Sequence, residues 1–443
     1  MTYSLATASH RFLDVKRDRP VVESLLDTDF YKLLMLQFIW KFHPSAQVTF
    51  GLNNRTKRVK LAEAVDLHDL REQLDHVKGL SFSSGELAWL RGQTFYGQSG
   101  LFEPGFLDFL RTLRLSDYRL ETSADGQIEL VFSGTWSQVT LWEIPALSIV
   151  SELRARKAME ALTARDADVL YGRAMARLDD KLHRLAPLEG LNLTDFGTRR
   201  RHSRAWQAWC VERARDVLGA GFTGTSNARL AMDFDLEARG TNAHELPMVM
   251  AALAGKDDAA LLDSQYEVLR QWQNLYRGGL LMLLPDTFGT SQFLERLSPV
   301  MARAWTGARP DSKPPVQAGE ELIAFWKGMG MDTTHQLLLF SDGLDVALPG
   351  EAPVESDIVD LHARFKDRVR LGFGWGTHLT NDLAHGDHPL APISLVCKAT
   401  SANGRSCVKL SDNPTKASGS PEEVARYLRV FGDPRGVSRE TVV

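Results

Sequence analysis

Cysteine is scarce in this sequence: its 443 residues include only Cys210, Cys397 and Cys407. None of the three forms a CxxC pair, so the sequence indicates neither a zinc site nor a disulfide framework. An odd and sparse cysteine count is typical of a protein from a reducing compartment.

Long apolar runs are also missing, because no stretch approaches the roughly 18 apolar residues of a membrane span. Charges are scattered over residues 1–20, where a signal peptide would need an apolar run. The formal net charge is only -4, which supplies no field for a nucleic-acid backbone or an acidic membrane. We therefore expect a cytoplasmic protein without nucleic-acid or membrane partners, in which local arginine clusters can still bind small anions.

The second half of the chain alternates strand-like and helical segments. Beyond Leu191, seven short apolar runs end in small or polar residues, and helical stretches separate most of them. This alternation predicts a parallel sheet, and seven such units favour an α/β barrel with its chemistry at the carboxyl ends of the strands. The runs are LNLTDFGT, GFTGTSN, LEARGTNAHE, GGLLMLLPDTFGT, MARAWTGARPDS, HQLLLFSDGLD and RVRLGFGWGTHLTND.

The two ends of the chain have a different pattern. Residues 127–144 alternate apolar and polar positions and predict a hairpin, and residues 394–410 predict a second one with Asn403-Gly404 at its turn. Together with the AQVTFGL run, they indicate an antiparallel α+β domain built from both termini. The predicted domains are an α+β domain over 1–145, joined by about 393–443, a helical connector over 146–190 and an α/β barrel over 191–392.

Two of the strand-end motifs indicate an anion site. DFGTRRRHSR places three consecutive arginines at a predicted helix start, where they oppose the helix dipole unless an anion lies between them. FGWGTH offers backbone N–H groups to a phosphate, although it does not match the GxGxxG motif of dinucleotide-binding folds. Each motif alone could equally be a solvated basic turn or an ordinary glycine turn.

Two further strand ends carry charged side chains. TGARPDS contributes Arg309 and Asp311, and FSDGLD contributes Asp342 and Asp345. Any one of them could be a rim charge in a salt bridge. A rim that combines arginines, glycine loops and paired carboxylates suits a polyphosphorylated substrate held with Mg²⁺.

Seven motifs together resemble the nicotinate phosphoribosyltransferase family, in its order and approximate spacing, from Ser24 to about Lys416. The resemblance implies an irregular α/β barrel beside an α+β domain. It also implies a reaction of NAD biosynthesis that joins nicotinate to phosphoribosyl pyrophosphate, coupled to ATP hydrolysis, with Mg²⁺ as cofactor and a homodimer as a candidate assembly. The motifs are SLLDTDFYKLLM, LTDFGTRRRHSR, GTSN, RGTNAHEL, FSDGLD, GFGWGTHLTND and VKLSDNPTK.

The same resemblance implies roles for individual residues. Tyr31 would stack on the pyridine ring, in its own or a neighbouring subunit, and Arg309 would pair with the nicotinate carboxylate through a bidentate fork. Arg199 and Arg200 would face the phosphates of the donor. The remaining implied substrate-binding positions are Thr241, Asp311, Asp342, Gly343, Gly374, Gly376 and Thr377, of which the glycines and Thr377 would hold the 5′-phosphate.

His244, in the stretch RGTNAHELPM, would be the phosphorylated histidine of the family. A neutral imidazole with a pKa near ~6.5 is a competent nucleophile, and the small neighbouring residues leave space for a phosphoryl group. The other interpretation is a histidine that closes a structural turn. Glu245 either orients the ring or points away, and His202 and His378 are the next candidates for the phosphoryl acceptor.

One motif departs from the family, in which many members carry Arg-His-Asp-Ser-Gly-Asp. Here residues 309–314 read Arg-Pro-Asp-Ser-Lys-Pro, so the second acid is missing, while Asp286 is kept in LLPDTFGTSQF. The nearest alternative is a nicotinamide or quinolinate phosphoribosyltransferase, and the altered run also permits a catalytically silent binding protein on the same fold.

Overall fold

A computed structural model describes residues 20–94, 97–413 and 417–433 of the chain. The end of the VKLSDNPTK motif, residues 414–416, therefore lies outside the described residues, as do residues 1–19. The α-helices of the described residues are Phe30–Phe42, Leu61–Ala64, Leu67–Gly79, Ser84–Arg91, Pro104–Thr112, Trp136–Val139, Glu143–Glu160, Ala164–Leu185, Arg204–Leu218, Ala228–Phe234, Glu245–Leu253, Asp258–Leu275, Thr290–Arg296, Pro299–Ala304, Pro315–Gly328, Ile358–Phe365, Thr377–Thr380 and Pro421–Phe431.

The described residues form two sheets. One is a five-stranded antiparallel sheet with the strand order β11-β10-β1-β3-β2, and the other is a six-stranded sheet with the order β5-β4-β9-β8-β7-β6. The strands are β1 (Gln47–Asn54), β2 (Tyr118–Thr122), β3 (Ile128–Thr135), β4 (Leu193–Asp195), β5 (Phe222–Thr225), β6 (Met282–Leu283), β7 (Gly307–Ala308), β8 (Leu337–Phe340), β9 (Arg370–Trp375), β10 (Leu395–Ala402) and β11 (Arg405–Ser406).

The antiparallel sheet combines both ends of the chain, as the sequence predicts. β1 lies between β3 and β10, and its register pairs Asn54 with Leu395. Asn403 and Gly404 form the turn from β10 to β11 with φ values of 46° and 77°, the left-handed conformation that this two-residue hairpin turn requires. The predicted C-terminal hairpin is confirmed, although its second strand has only two residues.

The other predicted hairpin, over residues 127–144, is wrong in its second half. β3 pairs with the preceding strand β2, and the chain turns helical at Trp136. A capping box explains the change, because Thr135 and Gln138 satisfy each other's backbone N–H groups at the start of the helix. The alternating pattern therefore ends at Thr135.

The parallel sheet contains six of the seven predicted strands, all paired in parallel. The seventh run, LEARGTNAHE, is not a regular strand, and the prediction for it is wrong. It makes one parallel bridge from Ala238 to Thr225 in β5, and the Asn242 side-chain amide donates to the backbone oxygen of Met282 in β6 at 3.2 Å. This irregular segment thus contacts both edge strands, in agreement with the predicted irregular α/β barrel.

The region predicted as a helical connector consists of the helices Glu143–Glu160 and Ala164–Leu185. The first of them is buried along most of its length and packs against both β10 and β1. The exact division of the chain at residues 145, 190 and 392 stays a prediction. None of the helices in the described part of the chain is long and apolar enough to cross a membrane.

Candidate active site

A cavity of about 400 Å³ lies between the two sheets. The carboxyl ends of the parallel strands supply one wall, from Gly197 after β4 to Gly376 after β9. β10 supplies the opposite wall through residues 396–399. The cavity therefore occupies the position where an α/β barrel normally carries its chemistry.

Eleven of the twelve predicted site residues line this cavity. The exception is Gly374, which lies inside β9, where an added Cβ would meet a ring carbon of Phe196 at 2.6 Å. Gly374 thus leaves room for Phe196, which itself lines the cavity. The eleven lining residues are Tyr31, Arg199, Arg200, Thr241, His244, Arg309, Asp311, Asp342, Gly343, Gly376 and Thr377.

The three consecutive arginines have different environments. Thr198–Arg200 forms a single 3₁₀ turn, and the α-helix begins only at Arg204. Arg199 extends into the cavity with its side chain 45% exposed, whereas the Arg200 guanidinium donates to the backbone oxygen of Leu395 at 3.1 Å. Arg201 is fully buried and forms a bidentate pair with Asp27. Two of the three can therefore meet an anion, and the third is structural.

Three further cations line the cavity, and the sequence motifs predict no role for any of them. Arg55 follows β1, Lys398 lies in β10, and Lys409 follows β11. Burial, with the neighbouring charges of Lys409 and Arg55, lowers the pKa of Lys398 to about 7. Alternation along β10 predicts that Lys398 lies on the face of the even-numbered residues, opposite the face of Leu395. The sequence does not say which of these two faces meets the barrel.

Arg309 is held at the end of β7 by two hydrogen bonds. One guanidinium nitrogen donates to the backbone oxygen of Asn242 at 2.9 Å, and the other donates to Ser341 Oγ at 3.3 Å. Its side chain is 14% exposed, toward the cavity. A planar cation that is fixed in this way matches a planar carboxylate.

Tyr31 is the second residue of the helix Phe30–Phe42 and lies against the backbone of Gly240. An added Cβ at Gly240 would approach the Tyr31 nitrogen to 2.8 Å, so only glycine permits this contact. Burial and the nearby Glu143 carboxylate raise the pKa of the Tyr31 phenol, which stays protonated. The ring is therefore an uncharged aromatic surface of the cavity.

His244 is held at both ring nitrogens. Nε2 lies 3.0 Å from Asp311 Oδ2 and 3.5 Å from Asp286 Oδ1, and Nδ1 lies 2.9 Å from Thr287 Oγ1. Because an ionised carboxylate only accepts, the neutral ring carries its proton on Nε2 and receives the Thr287 hydroxyl hydrogen on Nδ1. Burial lowers the pKa of His244, against the raising effect of the two carboxylates. A neutral imidazole, the nucleophilic form, is thus favoured at pH 7.

Glu245 points away from His244. Its carboxylate accepts from Trp136 Nε1 at 2.6 Å and from Thr140 Oγ1 at 2.7 Å, and it pairs with the buried Lys32. Burial alone would lower the pKa of Lys32, but its carboxylate neighbours raise that pKa above its usual range. Glu245 therefore does not orient the His244 ring, and its carboxylate instead stabilises the fold around Lys32.

Asp286 and Asp311 form a pair of carboxylates beside His244, close enough for all three residues to share one cation. Burial would raise the pKa of Asp311, but the His244 hydrogen bond and the charges of Arg309 and Lys409 hold it well below its usual range. Asp286 Oδ1 accepts no hydrogen bond from the described residues and so keeps an oxygen for a ligand. Two ionised carboxylates are the oxygen ligands that Mg²⁺ prefers.

The altered run at residues 309–314 places Lys313 away from these carboxylates. Lys313 Nζ lies 2.5 Å from Glu321 on the helix Pro315–Gly328 and 3.3 Å from Ser291 Oγ, and its side chain is 7% exposed. Asp412 lies 4.0 Å from the same nitrogen. Lys313 is therefore occupied by a neighbouring ion pair.

The other two predicted histidines also differ in their surroundings. His202 is buried, bonds through Nε2 to the Tyr171 hydroxyl at 2.9 Å, and has its pKa lowered to about 3 by burial and by Arg154. His378 lines the cavity beside Thr377. His244 alone among these three combines a position in the cavity with hydrogen bonds at both ring nitrogens in the described part of the chain.

Cations from both sheets, two glycine-containing turns and a carboxylate-held histidine suit an enzyme that acts on a phosphorylated substrate. Comparison with known proteins makes the class more specific. The model of the nicotinate phosphoribosyltransferase family matches residues 191–435, and the model of its N-terminal domain matches residues 26–151. The chain belongs to the nicotinate phosphoribosyltransferase family.

Solved structures agree with this assignment. Nicotinate phosphoribosyltransferase from Vibrio cholerae is 30% identical, with a TM-score of 0.80 over 93% of this chain and 94% of that one. The Porphyromonas gingivalis enzyme is 26% identical, with a TM-score of 0.78 over 93% and 100% of the two chains. A putative nicotinate phosphoribosyltransferase from Saccharomyces cerevisiae is 25% identical, with a TM-score of 0.79 over 94% and 99%.

Proposed function

We propose that this protein, a nicotinate phosphoribosyltransferase of NAD biosynthesis, couples synthesis of the mononucleotide to ATP hydrolysis through a phosphohistidine at His244. The observation that carries the proposal is the environment of His244, a neutral imidazole held at both nitrogens at the edge of a cavity lined by cations. We place the reaction in the cytoplasm, in keeping with the sparse cysteines.

In the synthetic reaction, the pyridine nitrogen of nicotinate attacks the ribosyl C1 carbon of phosphoribosyl pyrophosphate. The bond from C1 to the pyrophosphate oxygen breaks, and pyrophosphate leaves with the bonding electron pair. Arg309 orients nicotinate through its carboxylate, and Tyr31 stacks on the ring. Correct placement of the two reactants supplies most of the rate enhancement in such a step.

The donor is held by groups at the carboxyl ends of the parallel strands, with Lys398 of β10 on the opposite wall of the cavity. Arg199 and Arg200 face its phosphates, while the turns at Gly343 and Gly376–Thr377 direct backbone N–H groups to the 5′-phosphate. Gly343 has a φ of 63°, a left-handed conformation that glycine adopts without strain. Thr241 and Asp342, which also line the cavity, complete the contacts.

In the coupling reaction, a ring nitrogen of His244 attacks the γ-phosphorus of ATP. A nitrogen–phosphorus bond forms, the bond to the bridging oxygen breaks, and ADP leaves. Water later cleaves the phosphohistidine to phosphate and free imidazole. Asp286 and Asp311 would hold Mg²⁺, which neutralises phosphate charge when bound.

Replacement of His244 with Asn tests the coupling. We expect the variant to lose ATP hydrolysis and acid-labile ³²P incorporation from γ-labelled ATP while keeping a slow, ATP-independent synthesis of the mononucleotide. Nicotinate, nicotinamide and quinolinate are compared with and without ATP, because only nicotinate matches Arg309 with a single carboxylate. Label incorporation by His244→Asn would move the acceptor elsewhere, with His378 as the next candidate in the cavity, and unchanged ATP stimulation would make His244 structural.

We also propose a homodimer, in which Tyr31 serves its own cavity or that of the neighbouring subunit. Sedimentation of the intact protein at several concentrations tests this assembly. Mixing Tyr31→Ala subunits with His244→Asn subunits, each of which lacks ATP-coupled synthesis on its own, then distinguishes the two arrangements. Recovery of ATP-coupled activity in the mixture would indicate that Tyr31 acts across the interface.

A further inference from the structure

A buried lysine outside the cavity connects two of the loops that line it. Lys181 lies on the helix Ala164–Leu185 and has no exposed side-chain surface. Its Nζ donates to Asp345 Oδ1 and to Asp382 Oδ2, both at 2.6 Å. The same nitrogen lies 5.8 Å from the centre of the Trp375 ring, at the end of β9.

Each of the two carboxylates belongs to a loop that carries a proposed phosphate-binding turn. Asp345 lies two residues after Gly343 in the loop after β8, and Asp382 lies in the loop after β9, which begins at Gly376 and includes the short helix Thr377–Thr380. Both turns line the cavity. One ammonium group therefore fixes the spacing between the two turns from behind.

The Asp382 loop also reaches the arginine turn. The Asn381 side-chain amide donates to the backbone oxygen of Arg200 at 2.8 Å, and the His202 N–H donates to the Thr380 oxygen at 3.0 Å. The loop held by Lys181 thus supports the backbone that carries Arg199 and Arg200 into the cavity.

Loss of the ammonium would leave two like charges facing each other in a buried place. Asp345 and Asp382 are only 10% and 11% exposed, so water would screen their repulsion poorly. Arg177 still contacts Asp382, with Nε donating to Oδ2 at 2.7 Å, whereas His378 Nδ1 lies 3.6 Å from Asp345 Oδ2 and 3.9 Å from Asp382 Oδ1, too far for a hydrogen bond. The two loops would then move apart, and small displacements of positioning groups are costly to binding and catalysis.

We propose that Lys181 is a positioning residue for the phosphoribosyl donor, setting the spacing of the turns at Gly343 and Gly376–Thr377 without touching the donor. The inference rests on the proposed function, because it assumes that these turns hold the donor phosphates. Nicotinate binding depends on Arg309 and Tyr31 instead. The effect of Lys181 is therefore selective for the donor.

The test is Lys181→Met in the full chain, with steady-state kinetics against each substrate and calorimetric binding of phosphoribosyl pyrophosphate with Mg²⁺. The matched control is Arg213→Met. This substitution removes a partly exposed ion pair, 2.5 Å long, between Arg213 and Asp179, which lies on the same helix as Lys181. We expect the donor KM and Kd of Lys181→Met to rise by at least about tenfold and the nicotinate KM to change by less than about threefold. The control should match the wild type.

A folded Lys181→Met protein with an unchanged donor KM, or with equal rises in both KM values, overturns the proposal. If this variant fails to fold, Asp382→Asn decides in its place, because it weakens one side of the same contact and should show the same donor-selective rise. A wild type and a control that are both inactive with nicotinate would refute the proposed function and this inference together. An active wild type beside a kinetically normal Asp382→Asn would refute the role of Lys181 alone.

Discussion

The Nδ1 atom of His244 lies 2.9 Å from the hydroxyl oxygen of Thr287, which is itself buried. The backbone oxygen of Thr287 accepts from the N–H groups of Leu410 and Ser411, at 3.0 and 3.1 Å. The C-terminal segment after β11 thus holds the backbone of Thr287 in place, and the Thr287 hydroxyl in turn orients the His244 imidazole. This arrangement makes Thr287 a determinant of the ring orientation.

Replacement of Thr287 with Val keeps the side-chain shape and removes the hydroxyl group. We expect phosphohistidine formation to slow by about tenfold, corresponding to the loss of one hydrogen bond of about 1–1.5 kcal/mol, while ATP-independent synthesis is retained. Label incorporation and mononucleotide formation are measured in parallel. Thr287→Ser, which keeps the hydroxyl, is the control, and equal coupling in the Val and Ser variants would exclude the proposed role.

Arg309→Lys keeps the charge and removes the planar fork. We expect nicotinate binding to weaken by on the order of 2–3 kcal/mol while donor binding stays nearly intact. The KM values for the two substrates show the difference. Arg303→Lys, on the exposed surface, should change neither value, and an unchanged nicotinate KM in Arg309→Lys would remove Arg309 from the nicotinate site.

Lys398 predicts a pH dependence of donor binding, because its pKa in the free protein is lowered to about 7. A bound phosphate favours the charged amine and raises this pKa, so binding takes up a proton and donor affinity falls as the pH rises above about 7. In the free protein, the lowered pKa makes the contribution of Lys398 to stability increase with pH between about 7 and the usual value of 10.5.

Calorimetric donor titrations in buffers of different ionisation enthalpy measure this proton uptake. Lys398→Arg stays charged throughout the range and should bind the donor with little dependence on pH between 6 and 9, while Lys398→Met should bind weakly at every pH. The same slope in wild type and Lys398→Arg would assign the titration to another group.

We expect the activity to require Mg²⁺, because Lys313 is paired with Glu321 and leaves Asp286 and Asp311 for the metal. Excess chelator should abolish synthesis, and added Mg²⁺ should restore it. Lys313→Gly should keep the same requirement. Full activity of the wild type in chelator would show that a protein cation serves in place of the metal.

The sequence predicts most of the cavity because motifs at strand ends are local features. The turns around Gly343 and Gly376 can be predicted because each lies in the chain shortly after a strand, β8 or β9. The two cavity arginines could not be separated from Arg201 in advance, because their roles depend on which side chain meets Asp27 more than 170 residues away. That contact is set by tertiary packing.

The errors in the fold have physical reasons of the same kind. Residues 136–144 alternate like a strand, but the capping box at Thr135 and the burial of Trp136 beside Glu245 favour a helix. Lys398 was missed because alternation in β10 shows two faces without showing which one meets the barrel. Contacts between residues that are distant in the sequence determine both the helix after Thr135 and the face of β10 that lines the cavity.

The position of β1 between β3 and β10 has a consequence for synthesis of the chain. β3 is made soon after β1, but β10 pairs with β1 only after residues 395–402 have been made. At about 5–20 residues per second, the hydrogen-bonding edge of β1 would stay uncovered on the ribosome for some tens of seconds. An unpaired strand edge can join a neighbouring chain. Nascent chains therefore pass through an interval in which crowded polysomes favour aggregation, and a chaperone that shields Gln47–Asn54 would raise the yield of folded enzyme.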